Sequence, residues 1–159
     1  MIFRCLCALV AATTLASTAL AQDAAGTNLP VAQDKAQPQP KGYPAAALLS
    51  TGTTVVGEPI RYPTDGPAHV TASIVTLEPG ARTVMHKHGV PMFAYILEGE
   101  ITVDYGPHGK RTFRPGQALM EAMDVAHFGQ NTGTHPLRLI AVYMGAKSAK
   151  DVIPVKVAD

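Results

Sequence analysis

From about Leu49 to Met144 the chain consists of short runs of β-branched and aromatic residues, each followed by a breaker. The runs are TTVVG, HVTASIVTL, FAYILEGEITVDYG, RTF, ALMEAM and HPLRLIAVYMG. No stretch keeps an apolar period of 3.6 residues for three helical turns, so a helical core is not predicted. Evenly spaced short strands separated by Gly and Pro turns are typical of an all-β sandwich or barrel. The sequence therefore predicts a single all-β domain.

The first 21 residues have the three parts of a secretory signal peptide. Arg4 forms a short basic region, an apolar run begins at Cys5, and Ala19-Leu20-Ala21 is a cleavage site of small residues. A membrane anchor is the alternative, but threonines and serines interrupt the apolar run and no second hydrophobic span follows. We therefore expect cleavage after Ala21, no stable membrane insertion afterwards, and a periplasmic or secreted protein.

The rest of the chain divides by composition into three parts. Residues 22–45 are rich in Ala, Gln, Pro and Asp and have no apolar period, which predicts a flexible, disordered linker. Residues 46–147 carry the strand pattern and are predicted to form the folded domain. Residues 148–159 form a C-terminal tail that ends in the sequence DVIPVKVAD. This tail could pair as an edge strand with a second subunit, giving a homodimer, or lie on its own domain.

The composition of the mature chain excludes several classes of function. Cleavage removes both cysteines of the sequence, which excludes disulfides, thiolate chemistry and a type-1 copper centre. It also removes Arg4, so that Lys+Arg falls from 13 to 12 against 12 Asp+Glu. A neutral chain without a basic patch is a poor partner for nucleic acid or for an anionic membrane. A small-molecule substrate or ligand is the expected partner.

Three of the six histidines are placed where they could share a metal ion. Residues i and i+2 of a strand point to the same face, so His86 and His88 project side by side. His127 follows a later strand, and a closed sheet could bring it opposite the first two. His69, His108 and His135 have no partner at metal-ligand spacing. Three imidazoles suit a divalent transition metal (Fe, Mn, Zn, Cu or Ni) and leave coordination positions open.

The spacing of these residues resembles the two sequence motifs of the cupin superfamily. The first motif, G-x5-H-x-H-x3,4-E-x6-G, maps onto Gly80, His86, His88, Met92 in the glutamate position, and Gly99. The second, G-x5-P-x-G-x2-H-x3-N, maps onto Gly116, Ala122 and Asp124 in place of its Pro and Gly, His127 and Asn131. More narrowly, the sequence resembles small exported single-domain cupin proteins of bacteria. The resemblance implies a jelly-roll β-barrel over residues 46–147, with a metal in its mouth.

The chain departs from the cupin pattern at the position of the fourth ligand. Met92 replaces the carboxylate, so the resemblance implies a three-histidine site, as in the thiol and diketone dioxygenases of the superfamily. Met92 is either apolar packing or a ligand. Glu121 could supply the missing carboxylate, but the turn between it and His127 leaves its direction open. Glu121 and Tyr95 are the candidates for a catalytic acid or base.

Two function classes follow from this reading. In the first, the protein is an exported metal-binding cupin that acts as a dioxygenase-like oxidoreductase, similar to non-haem iron enzymes, on a small anionic substrate. In the second, it is a non-catalytic periplasmic module that binds a small molecule or a metal. The fold does not decide between them, because cupin barrels host both enzymes and binding proteins.

Overall fold

The structure is a computed structural model that describes Gly42 and residues 44–156. The predicted signal peptide and nearly all of the predicted linker lie outside these described residues. The regular elements are β1 (Ala68–Leu77), β2 (His86–Lys87), β3 (Met92–Glu98), β4 (Ile101–Asp104), a 3₁₀ turn (Gly106–His108), β5 (Lys110–Phe113), β6 (Ala118–Met120), β7 (Phe128–Asn131), β8 (Leu137–Ala146) and β9 (Ile153–Pro154). The predicted all-β jelly-roll class is confirmed. No helix in the described part of the chain has the length and apolar character to cross a bilayer.

The strands pair into three antiparallel sheets. Their orders are β1-β8-β3-β6, β5-β4-β7 and β2-β9. The predicted barrel is not closed in this structure, because no continuous ladder of backbone hydrogen bonds joins the three sheets. After β6, for example, the backbone N–H groups of residues 123–125 bond to a side chain rather than to a neighbouring strand, which interrupts the ladder. Isolated bridges, among them one between His86 and His127, link the separate sheets.

Strand alternation decides which side chains fill the interior. Along β3 the residues Met92, Ala94 and Ile96 are buried while those between them are partly exposed. In β4, Ile101 and Val103 are buried in the same alternating way. Successive side chains of a strand point to opposite faces, so one face of each strand makes the core. The histidine cavity described below lies within this interior.

The turn between β3 and β4 requires glycine at position 99. Gly99 has a φ of +74°, which L side chains rarely adopt, and a Cβ placed there would lie 2.7 Å from the Pro136 carbonyl oxygen. The last glycine of the first cupin motif therefore permits a tight turn packed against the start of β8.

Residues 148–156 of the C-terminal tail lie on the folded domain itself. In β9, Ile153 pairs with Lys87 and Pro154 with His86, so the tail covers the strand that begins the histidine pair. Gly89 allows this approach, because a Cβ there would lie 2.5 Å from the Lys150 carbonyl oxygen. The tail is therefore part of the wall around the first two histidines.

Candidate metal centre

Backbone hydrogen bonds bring the three predicted histidines together. The N–H of His86 donates to the carbonyl of His127, and the N–H of His127 donates back, each at 2.9 Å. The N–H of His88 donates to the Met123 carbonyl at 3.1 Å. Two segments about forty residues apart in sequence are thus held side by side by main-chain bonds, which fixes the spacing of their side chains.

The three imidazole rings form a compact, buried cluster. The ring centroids lie 4.9 Å apart for His86 and His88, 4.6 Å for His86 and His127, and 5.1 Å for His88 and His127. One ring nitrogen from each histidine lies within 4.8 Å of the other two. His88 and His127 are only 3% and 1% exposed. This is the arrangement that a shared metal ion requires.

The tautomer of each ring is set by a main-chain carbonyl. Nδ1 of His86 lies 2.8 Å from the Val84 carbonyl oxygen. Nδ1 of His88 lies 2.9 Å from the carbonyl of Asp151, and Nδ1 of His127 lies 2.9 Å from that of Val125. A carbonyl only accepts, so each Nδ1 carries the proton and each Nε2 keeps its lone pair.

The second ring nitrogens have the property that a metal ligand needs. Nε2 of His88 and Nε2 of His127 are buried and have no hydrogen-bond partner among the described residues. A buried polar atom without a partner is costly, and a bound cation would remove that cost. The donor set therefore fits a divalent transition metal, and the carbonyls that hold Nδ1 orient the rings as outer-sphere partners of metal-binding histidines do.

The protonation state of the cluster also suits metal binding. Burial is the main cause that lowers the pKa of His88 to about 3, and the neighbouring His127 and His86 act in the same direction. Burial likewise lowers the pKa of His86, against the raising effect of the Val84 carbonyl. Both rings are therefore neutral near pH 7, and only neutral imidazole coordinates a metal.

Glu121 stands beside the histidine cluster rather than within it. Its side chain is 6% exposed and lines the same cavity, but it is not one of the three groups that converge. Its Oε1 accepts hydrogen bonds from the Tyr105 hydroxyl and from the Ala122 N–H, both at 2.8 Å. Burial and the charge of Glu121 raise the pKa of Tyr105 well above its usual value, so the phenol stays a donor. No hydrogen bond among the described residues occupies Oε2 of Glu121.

Met92 and Tyr95 lie on opposite faces of β3. Met92 lines the cavity, and its carbonyl accepts the N–H of Glu121 at 2.8 Å, so the methionine and the carboxylate are cross-strand neighbours. Tyr95 is not among the cavity-lining residues, which on this strand are Met92, Ala94 and Ile96. The structure thus places one of the two predicted catalytic candidates beside the histidines and the other on the far side of its strand.

The remaining histidines lie apart from the cluster. His69 and His135 are exposed, and His108 ends the exposed 3₁₀ turn. None of the three belongs to the group that could hold a metal.

A cavity of about 80 Å³ adjoins the three histidines. Its other polar side chains are Thr83, Glu121 and Tyr143. Tyr143 lies close to the cluster, with its ring 5.6 Å from that of His88, and burial raises its pKa. Most of the wall is apolar and comes from Val75, Leu77, Met92, Ala94, Ile96, Ile101, Val103, Phe113, Leu119 and Leu139. Neither Lys nor Arg is among the described residues of the lining.

Sequence reasoning missed three residues of this environment. Tyr105 and Tyr143 lie in ordinary strand-like runs, and nothing in their spacing distinguished them from core residues. Glu58 lies outside both cupin motifs, yet its carboxylate bonds to the loop that precedes His127. An acidic residue beside Gly57 and Pro59 reads as an exposed turn, so no local signal could have revealed that contact.

Comparison with known proteins agrees with this picture of fold and motif. The Cupin domain family matches residues 73–143, a range that contains all three histidines. Residues 73–143, with both motifs and the buried histidine cluster, therefore form a cupin domain.

Individual solved structures are only distantly similar. The polyketide cyclase RemF from Streptomyces resistomycificus is 20% identical, with a TM-score of 0.49 over 60% of this chain and 66% of the cyclase. The formate complex of oxalate decarboxylase from Lactobacillus farciminis is 24% identical, with a TM-score of 0.45 over 54% of this chain and 26% of the enzyme. A structure of DMSP lyases is 17% identical, with a TM-score of 0.47 over 55% of this chain and 44% of that one. Comparison with curated proteins finds no match.

Proposed function

We propose that the protein binds one divalent transition metal through Nε2 of His86, His88 and His127. The observation that carries this proposal is the orientation of the rings. Each Nδ1 faces a backbone carbonyl, and the second nitrogens of His88 and His127 are buried without a partner. The metal is one of Fe, Mn, Zn, Cu or Ni, the ions that an imidazole set of this kind accepts.

The finer proposal is a dioxygenase-like enzyme that acts on a small anionic substrate. When bound, the metal would supply a Lewis acid and, if redox-active, a site for dioxygen. The chain's own groups would do the rest. Oε1 of Glu121 is occupied by the donors Tyr105 and Ala122, which leaves Oε2 to accept a proton from a bound O–H or S–H group. The apolar wall would exclude water from the reacting groups.

The charges of the cavity narrow the ligand that it can hold. Glu121 already contributes a carboxylate, and the described lining offers no Lys or Arg to balance further negative charge. The carboxylate of Glu121 and one anionic group of the ligand would together balance a divalent ion, so a second carboxylate on the ligand would leave an excess negative charge in a buried site, which is costly. The preferred ligand is therefore a monoanion with an apolar body. Suitable classes are a diketone enolate, a thiol acid with one carboxylate, or a hydroxy-aromatic monocarboxylic acid.

A substrate panel tests this proposal. Iron-loaded protein should consume oxygen with acetylacetone, mercaptoacetate or salicylate, and oxalate and succinate should bind at least tenfold more weakly than the best monoanion. Glu121→Gln should retain its metal and lose about 10²-fold or more in turnover, because it keeps the shape but not the base. Glu98→Gln is the matched control, since Glu98 only pairs with Arg138 on the surface. Loss of metal from Glu121→Gln would instead make Glu121 a ligand.

A non-catalytic binding module is the second candidate. It is favoured by the structural role of Glu121, whose Oε1 accepts hydrogen bonds from the Tyr105 hydroxyl and the Ala122 N–H. Under this alternative, metal-loaded protein should bind a monoanion stoichiometrically and return it unchanged. Calorimetry followed by mass analysis of the recovered ligand separates the two candidates.

Export belongs to the proposal and rests on residues 1–21. Arg4, the apolar run and Ala19-Leu20-Ala21 support a signal peptide and a periplasmic or secreted protein. The mature chain should begin at Gln22, and intact mass of the periplasmic protein measures this. A full-length mass in the membrane fraction would contradict it.

A further inference from the structure

The Glu58 carboxylate holds the loop that leads into His127. Its Oε2 accepts the N–H of Met123 at 2.8 Å, and its Oε1 accepts the N–H groups of Asp124 and Val125, both at 2.9 Å. One side chain thus satisfies three successive backbone donors across more than sixty residues of sequence. Hydrogen bonds to an ionised acceptor are about twice as strong as neutral ones, so this contact fixes the loop firmly.

The same loop contacts two of the histidines directly. Val125 receives the Glu58 bond on its N–H, and its carbonyl oxygen accepts from Nδ1 of His127 at 2.9 Å. The carbonyl of Met123 accepts the N–H of His88 at 3.1 Å. His86 joins the arrangement through its paired backbone bonds with His127. Only the Cα of Val125 therefore separates the N–H that Glu58 binds from the carbonyl that orients the His127 ring.

Glu58 is itself held in place by its own segment. Its N–H donates to the Thr54 hydroxyl at 3.1 Å, and that hydroxyl donates to Oε2 of Glu58 at 3.0 Å. The N–H of Val55 donates to the Met120 carbonyl at 2.7 Å, which attaches the segment to the end of β6. The carboxylate is therefore fixed relative to the sheet before it contacts the loop.

We infer that Glu58 is a positioning residue of the metal site: by binding the N–H groups of residues 123–125 it sets the Val125 carbonyl that orients His127. This inference rests on the proposed metal binding and adds a residue outside the matched cupin region of 73–143. Outer-sphere partners of metal-binding histidines typically contribute 10- to 100-fold to metal affinity. Glu58 acts one step further from the metal, because it orders Val125, whose carbonyl is the partner of the His127 ring.

The test compares variants that remove different parts of the contact. Glu58→Ala removes every bond to the loop, and Glu58→Gln keeps an oxygen for Asp124 and Val125 but turns an NH₂ group toward Met123. Asp124→Ala is the control within the same loop, because that side chain only pairs with Arg61 at the surface. Leu137→Ala is a control for stability, since Leu137 is a buried core residue that does not line the cavity.

Three readouts are measured on the full mature chain: the Zn²⁺ dissociation constant, the visible spectrum of Co²⁺-loaded protein, and amide exchange of residues 123–127 in metal-free protein. We expect Glu58→Ala to weaken Zn²⁺ binding at least tenfold, alter the Co²⁺ spectrum and speed loop exchange, with Glu58→Gln intermediate. Both controls should match wild type in all three, even where Leu137→Ala melts at a lower temperature.

Two outcomes would overturn the inference. The first is wild-type Zn²⁺ affinity and Co²⁺ spectrum in Glu58→Ala or, should that variant not fold, in Glu58→Gln. The second is equal weakening of Zn²⁺ binding in Leu137→Ala, which would mean that general stability governs affinity. Absence of metal binding by the wild type would refute the proposed function separately, and unchanged loop exchange in metal-free Glu58→Gln would then refute the positioning role.

Discussion

At the scale of single residues, the site is defined by how each histidine proton is held. Each of the three imidazoles could ligate a metal through either ring nitrogen. Only Nε2 is available in each ring, because the carbonyls of Val84, Val125 and Asp151 accept the Nδ1 protons. Two of these carbonyls lie two residues before the ring that they hold, so the local chain path sets the tautomer. The third comes from the distant C-terminal tail.

Replacing any of His86, His88 or His127 with alanine should abolish stoichiometric metal binding, because two imidazoles alone hold a divalent ion weakly. The same change at His69, His108 or His135 should leave metal content unchanged, since these side chains lie outside the cluster. The metal-to-protein ratio of the purified variants measures both sets. A His127→Ala protein with wild-type metal content would contradict the three-histidine site.

Met92→Glu should raise metal affinity and lower the stability of the metal-free protein. Met92 and Glu121 are cross-strand neighbours that share the cavity, so the change places a second buried carboxylate beside the first. Like charges in one site are unfavourable until a cation neutralises them. We expect at least a tenfold gain in Zn²⁺ affinity, about 1.4 kcal/mol, with a lower melting temperature without metal.

Met92→Gln is the control for this substitution, because it has nearly the same shape without the charge. It should show a smaller loss of stability and no gain in affinity. A destabilised Met92→Glu protein with unchanged or weaker metal binding would mean that the side chain at position 92 does not reach the ion.

At the scale of secondary-structure elements, β9 and the residues before it form part of the site. Ile153–Pro154 pairs with His86–Lys87, and the carbonyl of Asp151 orients His88. The tail therefore acts on the first two histidines as the Glu58 segment acts on the third. Neither Glu58 nor the tail lies within the matched family region of residues 73–143.

A truncation that ends the chain at Lys147 should weaken metal binding by about tenfold or more, because it removes both the β9 pairing and the Asp151 carbonyl. A truncation that ends at Lys156 keeps both contacts and is the matched control. Zn²⁺ dissociation constants of the two proteins, measured where circular dichroism shows them folded, give the comparison. Equal affinity in both would remove the tail from the site.

The elements of the fold could be predicted from sequence better than the contacts between them. Strand alternation and turn glycines are local signals, so the all-β class and the pairing of His86 with His88 follow from short windows. The direction of Glu121 was not predictable, because an irregular turn separates it from His127. The Glu58 contact joins residues far apart in sequence, and no periodicity records such a contact.

At the scale of the whole molecule, burial of uncharged histidines links folding to pH. In metal-free protein the native pKa of His88 is lowered to about 3 by burial, whereas an unfolded chain has the ordinary value of 6.5. Above pH 6.5 neither state binds the proton, and the contribution of His88 to stability is complete. Between pH 6.5 and about 3 only the unfolded chain binds it, so the free energy of unfolding falls as the pH falls.

We therefore expect metal-free protein in a chelator to lose stability from pH 6.5 to pH 5, with His88 contributing about 1.4 kcal/mol per pH unit. Burial also lowers the pKa of His86, so this histidine adds to the loss of stability below pH 6.5. His88→Gln cannot titrate and should reduce the slope, while His135→Gln, an exposed change, should leave it unaltered. Urea unfolding at half-unit pH steps measures all three proteins.

The measurement stops at pH 5 because Asp104 also takes up a proton in the unfolded chain below that pH. The pKa of Asp104 is lowered in the folded protein by the Gly106 N–H and Lys110, against the raising effect of burial. Equal slopes for His88→Gln and the wild type would show that the pKa of His88 is the same in the folded and unfolded states, which would contradict burial of its uncharged ring.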